Sequence, residues 1–293
     1  LDSFLSREAS FLLNNLVLLG IGFATFWGTI FPIISEAVRG VKITVGPPFY
    51  NQVNVPIGLI LLALIGIGPV IAWRRATWSN LKKNFMKPVI TASVGAAALF
   101  PIVPLSNRSE IYTYIAFILC IFVMSTIIME FFKGTRARRE LHQETAVSAL
   151  GTLVWRNKRR YGGYIVHVGV VMIFAGIAAS QSYGTHVEKH VKIGETIEIG
   201  DYMLRYEKLV PIQATSVKTR VVAQLAVEKN GRRIWTARPE KEFYKGQDQP
   251  VSEVDVRSTL VSDLYVILAD FREDESATLK VYLNPMVSWL WMG

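Results

Sequence analysis

Apolar positions along this chain are gathered into long unbroken runs. They follow neither the three-to-four-residue spacing of a soluble helix bundle nor the two-residue alternation of a half-buried sheet. Five runs approach or exceed the roughly 17 to 25 residues that cross a hydrocarbon core: Phe11 to Ile34, Val55 to Trp73, Pro88 to Leu105, Ile111 to Phe132 and Tyr161 to Ser180. Each predicts a membrane-spanning helix. Pro32, Pro69 and Pro101 stand near the ends of these runs, where a helix is expected to stop or bend, and Gly66-Ile67-Gly68-Pro69 reads as one such end.

Beyond Ser180 the pattern changes. From about Gln181 to Asn284 the chain is polar and rich in β-branched residues, with alternating stretches at Glu195 to Gly200, Met203 to Tyr206 and Val221 to Val227. Lys229-Asn230-Gly231-Arg232 has the composition of a hairpin turn. The last residues, Val287 to Gly293 with Trp289 and Trp291, read as the aromatic interfacial start of a further helix. Together with a first residue that is not methionine, they suggest a fragment. The expected fold class is an α-helical polytopic membrane protein with an external β-rich domain between the last two transmembrane helices. Residues 1–180 form a membrane domain with five transmembrane helices, 181–284 the external β-rich domain, and 285–293 the start of a truncated final transmembrane helix.

Composition agrees, with 51% hydrophobic residues, and the net charge of +9 raises the question of nucleic acid. The basic residues answer it by their placement beside the apolar runs, which is the mark of membrane topology. Arg74, Arg75, Lys82, Lys83 and Lys87 lie between the second and third runs, and Lys133, Arg136, Arg138, Arg139, Arg156, Lys158, Arg159 and Arg160 between the fourth and fifth. The other two loops, Ser35 to Asn54 and Ser106 to Glu110, carry only Arg39, Lys42 and Arg108. The first two segments are therefore assigned to the cytoplasm, the other two to the outer face, and the β-rich segment by alternation to the outer face as well. Membrane lipid is an expected partner and nucleic acid is not. No secretory signal peptide is visible, because the first apolar run is too long for a signal h-region.

Candidate chemistry is sparse. Cys120 is the single cysteine and lies in the fourth run, so no internal disulfide or paired-thiol centre is available. His142 sits in a basic loop and reads as a solvated surface residue. His186 and His190 are four apart, which suits metal on a helix, but the surrounding sequence reads as strand, where they stand too far apart for one ion, and no third ligand is apparent. Glu130, at the end of the fourth run, is expected to pair with Lys133 at i,i+3.

His167 differs from all of these. It lies within Tyr161-Gly162-Gly163-Tyr164-Ile165-Val166-His167-Val168-Gly169, inside an apolar span, where an ionisable residue is a functional candidate by default. A neutral histidine hydrogen-bonded to a neighbouring helix is the bland alternative. Helical periodicity groups Gly163, Tyr164, Val170, Val171 and Phe174 with His167, leaving a glycine one turn before the imidazole and an apolar wall after it, where a flat macrocycle has room. Gly162, Gly169 and Gly176 form a seven-residue seam on another face, suited to close helix packing.

In chain order, Leu12-Leu13-Asn14-Asn15, Gly28-Thr29-Ile30-Phe31-Pro32, the Val45 to Val53 loop, Gly66-Ile67-Gly68-Pro69 and Tyr161 to Gly169 resemble the C-terminal half of the CcmF family of cytochrome c biogenesis proteins. The likeness extends through Phe243-Tyr244, Asp263-Leu264-Tyr265 and the closing Pro285 to Trp291. The resemblance implies a haem lyase, a holocytochrome c synthase that joins haem vinyl groups to the cysteine thiols of apocytochrome c on the outer face of the bacterial inner membrane. It implies that His167 is one axial ligand of a transmembrane haem b, with Gly163 and Tyr164 beside it, and that quinol is the candidate electron donor keeping the delivered haem ferrous. The implied partners are the CcmF N-terminal half, the haem chaperone CcmE, apocytochrome c and thiol-handling maturation subunits. The tryptophan-rich haem-delivery motif of that family does not occur in this sequence, which places the delivery site outside it. Two other functions compete: a structural assembly subunit of the maturation complex, and a haem or small-molecule transporter, which would place several polar groups or broken helices at the midplane where only His167 fits.

Overall fold

A computed structural model describes residues 7–68, 70–71, 78–215, 217–247 and 249–293. Pro69, the end of the second expected span at Trp73, and the basic pair Arg74 and Arg75 lie outside the described residues. The chain divides into two compact units, one centred on the helices up to Ala178 and one running from Ala179 to Met292.

The first unit is helical. Helix α1 spans Arg7–Arg39 and α2 Pro47–Ile67. The sequence places a loop over Ser35 to Asn54, but both helices grow into it. α1 runs through Pro32 and stops only at Gly40, whose φ of +66° is left-handed and whose N–H returns to the Glu36 carbonyl at 2.9 Å. α2 begins with Pro47, whose missing N–H costs nothing in a first turn. It ends inside the Gly66-Ile67-Gly68 motif, as expected.

Helix α3, Trp78–Leu99, departs from its expected position. It begins ten residues before Pro88, taking in Lys82, Lys83 and Lys87, and ends at Leu99 because the residues ahead of Pro101 and Pro104 are pushed out of helical geometry. Four described helices are long and apolar enough to cross a membrane, namely Glu8–Arg39, Pro47–Ile67, Arg108–His142 and Lys158–Tyr183; α3 is not one of them.

Helix α4, Arg108–His142, is held at its start by a capping box in which Asn107 Oδ1 accepts from the Glu110 N–H at 2.9 Å and the Glu110 carboxylate accepts from the Asn107 N–H. It packs against α2 and α3, with Val123 and Leu62 fully buried between α4 and α2. Glycines set the approach. A Cβ at Gly66 would stand 2.6 Å from the Phe122 ring, and one at Gly95 2.6 Å from Ile121. Short helix α5, Ala146–Arg156, is joined by the single residue Asn157 to α6, Lys158–Tyr183. The outward faces are apolar, with Leu16, Leu19, Phe23 and Phe26 of α1 all exposed, as lipid-facing helices require.

The second unit is a β-sandwich of two antiparallel sheets. Its strands are β1 Thr185–Val191, β2 Thr196–Ile199, β3 Tyr202–Ala214, β4 Lys218–Lys229, β5 Arg232–Ala237, β6 Glu240–Tyr244, β7 Val251–Glu253, β8 Asp255–Arg257, β9 Ser262–Phe271 and β10 Ala277–Pro285. One sheet has the order β1-β10-β9-β8; the other is β2-β3-β4-β6-β7, with β5 also paired to β4. Inward residues alternate along the strands: Leu204 and Tyr206 of β3, Leu225 and Val227 of β4, Leu264, Val266 and Leu268 of β9, and Leu279 and Val281 of β10. The expected hairpin is present between β4 and β5, where Asn230 and Gly231 take φ of 51° and 72°, the two positive values of a type I′ turn. Helix α7, Val287–Met292, is tied to the turn before β9. The Ser288 hydroxyl donates to the Thr259 carbonyl at 2.8 Å, and the Trp289 indole donates to the Leu260 carbonyl at 2.9 Å.

An α-helical polytopic membrane protein carrying a β-rich domain after its apolar helices is thus the architecture found.

Candidate functional site

α6 carries the candidate ligand, and its neighbours determine which way the helix faces. Arg160, in its first turn, places its guanidinium 2.6 Å from the Glu130 carboxylate of α4, and its Nε donates to the Tyr164 hydroxyl at 3.0 Å. The same carboxylate receives Lys133 Nζ at 3.5 Å, and Lys133 reaches Asn84 of α3 at 3.1 Å. Around this polar knot the rings of Phe131, Tyr161 and Tyr164 pack edge-on or tilted with centroids 5.1 to 6.0 Å apart. Gly134 leaves room for the Tyr161 hydroxyl, which a Cβ there would strike. Higher up, the Cys120 thiol of α4 faces the Val171 carbonyl of α6 at 3.8 Å.

These contacts turn Tyr161, Tyr164, Val171 and Ala175 inward as the buried face of α6. His167 stands at the margin of that face and is half-buried. Its Nδ1 is shielded from solvent and has no hydrogen-bond partner among the described residues. Gly163, one turn earlier, borders open space, since a Cβ there would meet nothing within 4 Å. Phe174, two turns later, lies against α2, where a Cβ on Gly58 would sit 3.5 Å from its ring. Periodicity alone grouped Gly163, Tyr164, Val170, Val171 and Phe174 with His167. The packing divides them, sending Tyr164 and Val171 into the α4 contact and leaving Gly163 beside open space. Of the glycine seam, Gly162 borders open space and Gly176 is buried.

Haem iron takes an imidazole nitrogen as an axial ligand, and His167, an imidazole in an apolar helix beside the open flank at Gly163, fits one side of such a group. It is the sole histidine in the four apolar helices apart from His142, which is exposed at the last residue of α4. A second axial imidazole is therefore not supplied by these spans.

The remaining candidates resolve differently. β1 places His186 and His190 on one exposed face of a strand. His186 stacks on Tyr282 with ring centroids 5.5 Å apart, while His190 Nδ1 lies 3.2 Å from Thr278 Oγ1. Among the described residues no group of three or more His, Cys, Asp or Glu is placed to hold a metal ion. Glu130 does pair with Lys133 as expected, but Arg160, thirty residues away, is the nearer partner. The local sequence carried no signal for that pairing beyond the presence of an ionisable residue in an apolar run.

Helices that can span a membrane, followed by a two-sheet sandwich, define the class as a multi-pass membrane protein with a β-sandwich domain. Within that class the chain is similar to CcmF, and the C-terminal half of CcmF is the part it matches. Residues 182–285 match the family model described as the CcmF C-terminal beta-sandwich. Over 288 residues, 98% of this chain, it is 27% identical to the cytochrome c-type biogenesis protein CcmF of Haemophilus influenzae, covering 43% of that protein. It is 27% identical to CcmF of Pseudomonas aeruginosa, covering 98% of this chain and 42% of the relative. A solved structure titled cytochrome c heme lyase CcmF superposes with a TM-score of 0.74 at 24% identity, over 99% of this chain and 44% of that one, and so shares the fold. The chain spans well under half the length of the relatives it matches.

Proposed function

We propose that this chain forms part of a cytochrome c haem lyase of the bacterial inner membrane and that His167 supplies one axial ligand of a haem b held among its helices. Five helices, α1 to α4 and α6, form the membrane part in this reading, with α3 crossing despite its lysine-bearing first turns. The β-sandwich then stands on the periplasmic side. The observation that carries the ligand assignment is an imidazole in an apolar helix whose buried Nδ1 has no hydrogen-bond partner among the described residues.

The reaction joins substrate haem to apocytochrome c: each cysteine S–H adds across a vinyl C=C, forming a C–S bond at one carbon and a C–H bond at the other. No electrons are lost or gained in that addition, but the iron of the delivered haem is kept ferrous while it occurs. A haem b bound within the membrane would supply one-electron transfer, with quinol as the donor. The residues of this chain hold it in place. His167 presents an imidazole in an apolar helix, Gly163 leaves the flank of α6 open, and the Arg160–Glu130 and Tyr161–Tyr164–Phe131 contacts fix the rotation of the helix. The partners in this reading are the CcmF N-terminal half, which brings the second ligand and the haem-delivery motif, the chaperone CcmE, apocytochrome c and thiol-handling subunits.

The test is the visible spectrum and pyridine haemochrome of the protein purified with its N-terminal half. His167→Ala is expected to lose the b-type signal, and cells carrying it to accumulate apocytochrome c. Unchanged haem b would sink the ligand assignment, and normal cytochrome c maturation without haem b would favour a structural assembly role.

A further inference from the structure

α5 has an apolar face that no described residue covers. Ala149 and Leu153 are buried toward α4, but Val147 and Leu150 are exposed on a second stripe at i and i+3, continued by the half-buried Val154 at i+7. Val147 is 82% exposed. This helix is bounded by α4, which has the length and apolarity of a membrane span, and by α6, which starts one residue after it. It therefore lies at the level where those spans leave the hydrocarbon. The far end of α5 carries an interfacial signature: Lys158 Nζ stands 3.6 Å over the ring of Trp155.

The near end carries a cavity of about 630 Å³ between the last turns of α4 and the first residue of α5. Phe132 forms its apolar lip, and Thr135, Arg136 and Arg139 continue from it along one face of α4. At 1.5 Å per residue, Arg136 and Arg139 stand about 6 and 10 Å beyond Phe132, within reach of the headgroup layer. Glu140 and Glu144 also line the cavity, but both are engaged: Glu140 with Arg136 at 2.8 Å, and Glu144 with Arg138 through two bonds of 2.7 and 2.9 Å. The Arg139 guanidinium has no ion pair among the described residues. Between residues 133 and 160 there are eight lysines and arginines against two acidic residues, so the elbow as a whole favours an anion.

We propose that the α4–α5 elbow is a binding site for an anionic phospholipid. Its phosphate lies against Arg139 and Arg136 in the cavity, and its acyl chains run along Phe132 and the Val147–Leu150 stripe of α5. The occupant is a membrane lipid and not a soluble anion, because the basic groups and the uncovered apolar stripe adjoin one another at the end of a span.

Native mass spectrometry of the purified full chain tests this, with phosphatidylglycerol, phosphatidylcholine and inorganic phosphate titrated separately. Phosphatidylglycerol is expected to persist on the protein under conditions that strip phosphatidylcholine, and free phosphate is expected not to bind. Arg139→Gln, which breaks no internal pair, is expected to lower phosphatidylglycerol retention about fivefold. Val147→Ser/Leu150→Ser is expected to lower it as well. Arg108→Gln, at the opposite end of α4, is expected to leave it unchanged. Equal retention of the two lipids, no effect of Arg139→Gln, an equal loss in Arg108→Gln, or binding of phosphate alone would each overturn the proposal.

Discussion

Arg160, in the first turn of α6, sets its guanidinium 2.6 Å from the carboxylate of Glu130 on α4. The pair is asymmetric, since the glutamate side chain is 10% exposed and the arginine 56%. Replacing Glu130 by alanine leaves two partly exposed cations, Arg160 and Lys133, without their shared carboxylate, holding only Tyr164 and Asn84. A fully buried pair broken in this way costs roughly 3–5 kcal/mol, and the exposure of Arg160 reduces the expected loss to about 2 kcal/mol. Thermal unfolding in detergent measures it, with Glu130→Asp expected to recover part of the loss. A variant as stable as the parent would show that the pair does not hold α6.

Two glycines of α2 separate tight from ordinary packing. Gly66→Ala drives a methyl toward Phe122 and Val123, 2.6 and 3.0 Å away, and is expected to destabilise by about 1–3 kcal/mol. Gly58→Ala meets only Phe174, at 3.5 Å, and is expected to be neutral or mildly stabilising. Melting temperatures of the two variants measured side by side decide the matter.

The β-sandwich responds to pH at both ends. Burial pushes the Tyr206 phenol up to about 12, with Glu275 adding to the shift, while its hydroxyl donates to the Glu275 carbonyl at 2.8 Å. A raised pKa means that its contribution to stability is complete below pH 10 and is lost as the pH rises toward 12. Tyr206→Phe is expected to flatten that alkaline decline. At the acid end, Gln224 and Arg233 hold the Glu207 carboxyl below the usual carboxylate range, and Lys218 and Tyr244 do the same for Glu242. Their contribution is present above pH 4.5 and falls away below it. Denaturant unfolding followed by near-ultraviolet circular dichroism across pH shows both limbs, and a flat profile would exclude these groups.

The β4–β5 turn needs two left-handed residues in succession. Gly231→Ala, at φ 72°, is expected to cost about 1 kcal/mol, and Asn230→Ala, at φ 51°, somewhat less. Hydrogen exchange at the ends of β4 and β5 is expected to quicken in both.

Much of this architecture is legible in single stretches of sequence. Apolar runs announce α1, α2, α4 and α6 because a span must satisfy its own backbone in lipid and cover its length with apolar side chains. Alternation announces the strands, and Asn230-Gly231 names its own turn type. The placement of α3 was not legible. Its lysine-bearing first turns are polar, and the propensity of Trp78 to Lys87 for helix becomes visible only once α4 is there to pack against. The extension of α1 past Pro32 was likewise hidden, because proline favours a stop but neighbouring contacts decide whether a helix obeys it.

By itself the sequence determined which segments enter an apolar medium, which become strands, and that His167 is an ionisable group in a span, because these follow from composition and short-range periodicity. The tertiary structure alone decided that Arg160 answers Glu130, that Tyr164 turns inward while Gly163 borders open space, and that the Nδ1 of His167 is shielded and has no partner among the described residues. The physical reason is distance along the chain. Helical rotation is set by contacts between residues tens of positions apart, and no local pattern encodes which of several cations a carboxylate will meet.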